Sequence, residues 1–250
     1  MSDEIAVVTE NRPLPGGHFL LSLQSPGQAR ATRPGQFAMV RILGRSGILL
    51  RRPMSIYDVK AASNGRSKPA GAALPEILQL LYKVVGRGTQ EMAELKPGDR
   101  VGLLAPLGHG FFEEDYLERA KEADEALHVA GGIGIAALLL PAKSLADRHI
   151  PQRLFFGGRT QWDLAGLGDF EPLTGKPVLA TEDGSRGYPG YVTHPLAEYL
   201  ELHSPKRFLL LVCGPWGMLQ AVVGLARRYG QRCLVSMENR MGCGLGVCLG

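Results

Sequence analysis

The sequence of 250 residues lacks a long apolar run, and this absence predicts that the chain has no membrane span. Its most apolar stretches, residues 133–140 and 208–213, are far shorter than the roughly 20 residues that cross a bilayer as a helix. No secretory leader is expected, because the first residues, Met1-Ser2-Asp3-Glu4, are acidic where a leader is basic. We therefore expect a protein that stays in the cytoplasm.

Net charge and cysteine are also scarce. The formal charge is only +4, and the 28 basic residues are scattered without forming a basic stripe. Nucleic acid is therefore not an expected partner. All four cysteines follow residue 212. In a protein that is not exported, such clustering indicates metal or redox chemistry in preference to structural disulfides.

The first part of the chain is built from short apolar and β-branched runs that are separated by turns. This pattern predicts a small antiparallel β-barrel or sandwich over residues 1–105. The predicted strands are residues 5–9, 19–23, 38–42, 77–85 and 101–104.

After Pro106 the pattern changes, because strand candidates alternate with segments of helical length. This alternation predicts an α/β domain with a parallel sheet over residues 106–232, followed by a separate cysteine-bearing segment at 233–250. The predicted elements are strands at 127–130, 153–156, 178–181 and 208–212, and helices at 136–147 and 218–229.

Ligands of parallel sheets bind beyond the carboxyl ends of the strands. Glycine-rich or polar turns occur at four of these ends, namely residues 131–134, 157–160, 182–185 and 213–215. Four turns of this kind along one predicted edge indicate a binding site there.

The pattern Gly132-x-Gly134-x-x-Ala137 follows a predicted strand and is typical of a dinucleotide site, where glycines let backbone amides approach a pyrophosphate. The acidic residue that usually holds the ribose about 20 positions later is missing. The alternative is a tight turn that binds no ligand. Pro141 falls inside the predicted helix, so we expect a kink or a late helix start.

Two segments of the barrel domain indicate phosphate or flavin binding. In residues 51–56, the Arg52 guanidinium matches a diphosphate and the Ser55 hydroxyl can bond a flavin ring nitrogen. In residues 82–89, a strand and a glycine turn lead to Thr89 as a predicted N-cap, and a helix start attracts phosphate. The alternatives are an exposed basic turn and a short capped helix without a ligand.

The cysteines fall into two patterns. Cys213-Gly214-Pro215 ends an apolar strand, where the thiol is either a buried small side chain or a group beside a reacting ring. Cys243 and Cys248 have the Cys-x4-Cys spacing that begins a plant-type iron–sulfur motif, with glycines between them. A zinc site or a pair of unligated thiols is the alternative.

Taken in order, these segments resemble the ferredoxin-reductase superfamily over nearly the whole chain. The matching segments are residues 52–56, 82–84, 88–89, 106–111, 131–136, 213–215 and 236–238. With residues 240–248 added, the chain is similar to the electron-transfer subunits of NAD-dependent dihydroorotate dehydrogenases. His109 and Ala137 depart from the family pattern, which commonly has asparagine and proline there.

The resemblance implies an N-terminal flavin-binding β-barrel and a C-terminal nucleotide-binding α/β domain, with FAD in the groove between them. It implies that Arg52 holds the FAD diphosphate and that Ser55 approaches the isoalloxazine. The other residues implied at the flavin are Pro53, Met54, Tyr82, Lys83, Val84, Gly88 and Thr89. Gly132, Gly134, Cys213, Gly214 and Pro215 are implied to bind NAD, and Cys243 and Cys248 to be the first two ligands of a [2Fe-2S] cluster.

In the family, a partner subunit oxidises dihydroorotate on FMN during pyrimidine biosynthesis, and the electrons pass through the cluster and FAD to NAD⁺. The implied partner is therefore that FMN-containing catalytic subunit, in a hetero-oligomer such as a heterotetramer. The remaining cluster cysteines are expected just beyond Gly250, so we expect the sequence to be truncated there. No catalytic acid or base is predicted, because hydride transfer needs aligned rings more than proton transfer.

Two other functions remain open at this point. The first is an NADP(H)-linked diaphorase subunit of a hydrogenase, sulfide or ferredoxin oxidoreductase, because Arg159 after the second strand of the α/β domain could meet a 2′-phosphate. The second is a non-enzymatic flavin- or nucleotide-binding module, which the incomplete cysteine motif favours.

Overall fold

The computed structural model describes residues 1–44, 50–61, 76–111, 120–237 and 241–247. These residues form two compact units. The first is Met1–Gly108 together with the C-terminal residues 241–247, and the second contains the described residues from 109 to 237.

The first unit is an antiparallel sheet of seven strands that forms a half-barrel. Its strands are β1 (Ser2–Leu14), β2 (His18–Gln24), β3 (Phe37–Ile42), β4 (Arg52–Ser55), β5 (Asp58–Lys60), β6 (Ile77–Lys83) and β7 (Arg100–Leu107). The strand order is β4-β3-β7-β1-β2-β6-β5, so β4 and β5 are the edges. The described part of this unit also has two short α-helices, α1 (Pro26–Ala31) and α2 (Arg87–Ala93), and a 3₁₀ helix at Pro15–Gly17. The antiparallel architecture predicted from the sequence is confirmed.

The second unit is a parallel sheet of six strands, in the order β11-β10-β9-β8-β12-β13. Its strands are β8 (Glu125–Gly131), β9 (Gln152–Gly158), β10 (Val178–Thr181), β11 (Tyr188–Pro189), β12 (Phe208–Cys213) and β13 (Arg232–Ser236). The α-helices among its described residues are α3 (Leu139–Ala146), α4 (Leu167–Thr174), α5 (Thr193–Leu202) and α6 (Trp216–Arg228). None of the helices among the described residues is long and apolar enough to cross a bilayer.

Helices pack on both faces of this parallel sheet, as predicted. Leu127 of β8 lies in an apolar cluster with Leu196 of α5 and Val222 of α6. Successive side chains of a strand point to opposite faces. The next residue, His128, accordingly faces the other layer, where its ring meets the edge of Phe170 in α4.

His128 is a fully buried histidine in this core. Its Nε2 lies 2.8 Å from Oε1 of Gln152, and Nε2 of Gln152 donates to the carbonyl of Ala142. The Gln152 oxygen therefore accepts a hydrogen bond from Nε2–H of the His128 ring. Burial lowers the pKa of His128 to about 4, although the bond to Gln152 partly opposes this.

The segment after β8 is not one continuous helix. Residues Gly132–Ala137 form a 3₁₀ helix, and the α-helix α3 begins only at Leu139. Pro141 is then the third residue of α3, where a missing N–H costs no intrahelical bond. The late helix start predicted from Pro141 is confirmed.

Candidate functional site

The structure brings together the two segments of the barrel domain that were predicted to bind flavin. Arg52 begins the edge strand β4 and is half-buried, and its Nη1 donates to the carbonyl of Leu50 over 3.3 Å. Gly88 lies in the first turn of α2. A Cβ on Gly88 would overlap Nε of Arg52 and lie 3.0 Å from its Cζ and Nη2. The guanidinium therefore rests directly on the start of α2.

Thr89 has a different local role from the one that the sequence predicts. The predicted N-cap at Thr89 is wrong, because α2 begins at Arg87 and its N-cap is Gly86. The Thr89 hydroxyl accepts from the amides of Val85 and Gly86 and donates to the Gly86 carbonyl, over 2.9 to 3.2 Å. Its side chain thus holds the turn that precedes α2.

Tyr82 lies on β6 with its side chain buried in the sheet. Its ring stacks on Phe19 at a centroid distance of 5.6 Å, and its hydroxyl donates to Oδ1 of Asn11 over 3.2 Å. Burial raises the pKa of the Tyr82 hydroxyl to about 12. Because this side chain is enclosed, any contact that Tyr82 makes with a flavin would come from its backbone. Lys83 and Val84 follow it and are half-buried.

The remaining residues of β4 lie along an edge strand and differ in their burial. Met54 and Ser55 are half-buried, while Pro53 is exposed. Pro53 pairs with Met39 and Ser55 with Phe37 on β3, the neighbour of β4 in the described sheet. A proline is tolerated at an edge, because its missing N–H faces away from the ladder. Among the described strands, β4 therefore lies at the edge of the sheet and pairs with β3.

Asn11 is a positioning residue that the sequence does not reveal. Its Nδ2 donates to the carbonyls of Met92, Ala93 and Leu95, over 2.9, 3.3 and 3.1 Å. These carbonyls belong to the end of α2 and the turn after it, so Asn11 binds the helix that carries Gly88 to strand β1. These contacts join residues more than 80 positions apart, and no local pattern marks them.

The second group of predicted residues lies at the switch point of the parallel sheet. From β8 the chain goes to β9 and β10 on one side, and later to β12 and β13 on the other. The crevice outside the carboxyl ends of β8 and β12 is therefore the expected ligand site. Gly132 and Gly134 follow β8, and Cys213-Gly214-Pro215 ends β12, so both predicted turns flank this point.

The glycines of these two turns are required for different reasons, close packing in one case and backbone conformation in the other. A Cβ on Gly134 would overlap the Cys213 carbonyl, and one on Gly214 would lie 3.0 Å from the backbone of Gly131. These residues are glycines because the two turns pack backbone against backbone. Gly132 has φ +52° and open space beside it. Its position therefore requires glycine for conformation and leaves room for a ligand to approach. Cys213 itself is fully buried.

The described C-terminal residues lie with the first unit. Gly244 has φ +75°, and a Cβ there would overlap the Met39 side chain and lie 3.4 Å from that of Leu107. The amide of Leu245 donates to Sγ of Cys243 over 3.3 Å. Cys248, the second predicted cluster ligand, lies outside the described residues. Within the described ranges, no group of three or more His, Cys, Asp or Glu side chains is arranged to hold a metal ion.

No protein-family model matches the chain, but individual relatives match over most of its length. The electron-transfer subunit of dihydroorotate dehydrogenase B (NAD(+)) from Desulforamulus reducens is 35% identical over 231 residues, which are 92% of this chain and 80% of that protein. The subunit of the same name from Geobacillus thermodenitrificans is 33% identical over 245 residues, 98% of this chain and 86% of that protein.

Solved structures agree with this likeness. The chain is similar to an NADH-dependent reduced ferredoxin–NADP oxidoreductase, with a TM-score of 0.77 and 26% identity over 99% of this chain and 81% of that chain. Phthalate dioxygenase reductase has the same fold, with a TM-score of 0.68 and 16% identity over 96% of this chain and 70% of that one. The predicted antiparallel β unit and parallel-sheet α/β unit are confirmed, whereas the C-terminal cysteine-rich segment stays a prediction.

Proposed function

This chain belongs to the family of dihydroorotate dehydrogenase B electron-transfer subunits, and from that membership we propose that it carries electrons from a dihydroorotate-oxidising partner subunit to NAD⁺. The family makes it a component of a flavin-dependent oxidoreductase. FAD and a [2Fe-2S] cluster supply the electron chemistry when bound. The partner is an FMN-containing catalytic subunit, and a cytoplasmic location stays a prediction of the sequence.

The observation that carries the flavin part of this proposal is the contact between Arg52 and Gly88. A guanidinium binds a diphosphate through two parallel hydrogen bonds, and backbone amides at a helix start add further donors. Both features lie side by side here because Gly88 has no side chain. The residues present therefore fit an FAD diphosphate, with Arg52 as its main ligand. Pro53, Met54, Ser55, Tyr82, Lys83, Val84 and Thr89 complete the proposed set.

The NAD and cluster residues are proposed on similar grounds. Gly132 presents open space at the switch point, which suits the approach of a pyrophosphate to the backbone. Gly134 and the turn of Cys213, Gly214 and Pro215 build the other wall of that site. The amide of Leu245 that donates to Cys243 is the kind of hydrogen bond that tunes a thiolate ligand. We assign Cys243 and Cys248 as cluster ligands.

Reconstitution with an FMN-containing dihydroorotate-oxidising subunit tests this function. The pair is expected to form NADH from NAD⁺ only when dihydroorotate and both subunits are present. Arg52→Gln is expected to lose FAD and this activity together. Arg87→Gln is the matched control, because that arginine of α2 has a side chain 71% exposed and pairs with Glu91 in its own helix. A complex that holds FAD but forms no NADH would contradict the proposal.

An NADP(H)-linked diaphorase is the second candidate, and one residue favours it. Arg159 is exposed directly after β9, where a guanidinium could meet a 2′-phosphate. Rates of flavin reduction by NADH and by NADPH separate the two candidates. A strong preference for NADPH would favour the diaphorase.

A further inference from the structure

The turn after β10 folds onto the turn after β9 at the carboxyl edge of the parallel sheet. The amide of Glu182 donates to the carbonyl of Gly158 over 3.0 Å, and that of Asp183 to the carbonyl of Arg159 over 3.1 Å. In return, the amide of Gln161 donates to Oγ of Ser185 over 2.8 Å. These three bonds make the two turns one surface.

In a dinucleotide-binding sheet the adenosine ribose binds beyond the second strand, so this surface is where it would lie in the proposed nucleotide site. The turn after β12 bounds the switch point on one side, and β9 and β10 lie beyond β8 on the other. In dinucleotide-binding sheets, an acidic residue after the second strand holds the ribose hydroxyls. The second strand of this sheet, β9, instead ends in Gly157-Gly158-Arg159-Thr160. The joined turns place an acid from the third strand beside this position.

Asp183 is the acid that is held in a fixed orientation. Its Oδ1 accepts from the Ser185 hydroxyl over 2.7 Å and from the Ser185 amide over 3.0 Å. These two donors lower the pKa of the Asp183 carboxyl, so the group is ionised at neutral pH. Its neighbour Glu182 is also exposed, but the Ser185 bonds go to Asp183.

The positive charge of Arg159 is partly compensated by the carboxylate of Asp163 in its own turn. Its Nε lies 4.0 Å from Oδ2 of Asp163, and that oxygen also accepts from the amides of Arg159 and Thr160 over 3.2 and 3.3 Å. Asp163 is thus tied to the backbone that carries the arginine. The joined turns contain the carboxylates of Asp163, Glu182 and Asp183 and the guanidiniums of Arg159 and Arg186, so negative groups outnumber positive ones.

A ribose with a free 2′-hydroxyl and a ribose with a 2′-phosphate interact with such a surface in opposite ways. A free 2′-hydroxyl donates a hydrogen bond, which an ionised carboxylate accepts. A 2′-phosphate carries negative charge and only acceptor oxygens, so a fixed carboxylate repels it. We propose that Asp183, supplied by the third strand, holds the adenosine ribose and makes this site select NAD over NADP. This inference rests on the proposed function, because it refines the same nucleotide site.

The test compares Asp183→Asn with the matched control Glu182→Gln, which removes the same charge one residue away. An asparagine oxygen can still accept from Ser185, so the turn is expected to survive the first substitution. Binding of ADP-ribose and of 2′-phospho-ADP-ribose is measured by titration calorimetry, and thermal denaturation checks that both variants are folded. The Michaelis constants of the holoprotein for NADH and NADPH provide a second measurement.

Wild type is expected to prefer ADP-ribose. Asp183→Asn should weaken ADP-ribose binding and raise the Michaelis constant for NADH about tenfold, as the loss of one charge-assisted hydrogen bond does. Glu182→Gln should change either value by less than about twofold. An unchanged preference in Asp183→Asn, an equal effect of Glu182→Gln, or a wild-type preference for the phosphorylated ligand overturns the inference. Calorimetry needs no flavin or partner, so failure of the electron-transfer function is recognised separately.

Discussion

Gly88→Ala provides a sharp test of the proposed flavin site, because it moves one guanidinium without removing a polar group. The new Cβ would overlap Nε of Arg52 and lie 3.0 Å from Cζ and Nη2. These atoms are the end of a flexible side chain, so the arginine is expected to swing away while the backbone stays in place. The substitution should therefore act on ligand binding and hardly at all on the fold.

The structure allows an estimate of the change in the free energy of unfolding and of the change in FAD affinity. Alanine is favoured over glycine in a helix by up to about 1 kcal/mol, which offsets the cost of moving Arg52. The free energy of unfolding should then change by less than about 1 kcal/mol. A hydrogen bond to a charged group contributes about 1.5–3 kcal/mol, so losing the Arg52 contact should weaken FAD binding about 10- to 100-fold.

Titration of FAD into apoprotein, followed by flavin fluorescence, measures the binding, and urea unfolding measures the stability. Gly86→Ala is the control, because a Cβ there has nothing within 4 Å and φ is −178°, an extended backbone that any residue adopts. In an Arg52→Ala background, Gly88→Ala should cause no further loss of affinity. Equal FAD affinities of wild type and Gly88→Ala would refute the reasoning.

Two further predictions concern the parallel-sheet unit. Gly134→Ala should lower the free energy of unfolding in urea by about 2–3 kcal/mol, because its Cβ would meet the Cys213 carbonyl, which is backbone and cannot turn away. Gly224→Ala, with nothing within 4 Å of its Cβ in α6, should cause no such loss. His128 titrates at about 4 when folded, against 6.5 for an unperturbed histidine, so the unfolded state gains the proton first and stability falls as the pH is lowered from 6.5 towards 4. The loss in the free energy of unfolding should reach about 3 kcal/mol by pH 4. This pH dependence should be absent in His128→Leu. An equal pH dependence in that variant would count against the lowered pKa of His128 as its cause.

The strands were the most predictable part of the fold. Apolar and β-branched runs placed β8, β10 and β12 within a few residues of their observed ends, because buried parallel strands are apolar on both faces. Helices α4 and α5 were not predicted. Pro172 lies inside α4, and α5 has Pro195 in its first turn. Because proline is rare inside helices, prolines at these positions argue against a helix when the sequence is read for apolar periodicity.

The candidate site was predictable as a set of motifs but not as an arrangement. Local patterns identified Arg52 and Gly88, whereas their contact depends on how β4 and α2 pack. The role of Asn11 arises from side-chain bonds across more than 80 residues. The sequence lacks the acid that is usual at the end of the second strand, about 20 residues after the glycine motif. Hydrogen bonds between two turns supply Asp183 in its place, and no spacing rule describes that.

The interlocked glycine turns after β8 and β12 would also determine when the proposed nucleotide site can form during folding. Gly134 and Cys213 are separated by the whole of β9, β10 and the helices between them, yet each turn is shaped by contact with the other. Closing so long a loop is slow. A nascent chain that has not reached β12 has only half of the crevice, so affinity for the nucleotide should emerge late and report a completed domain.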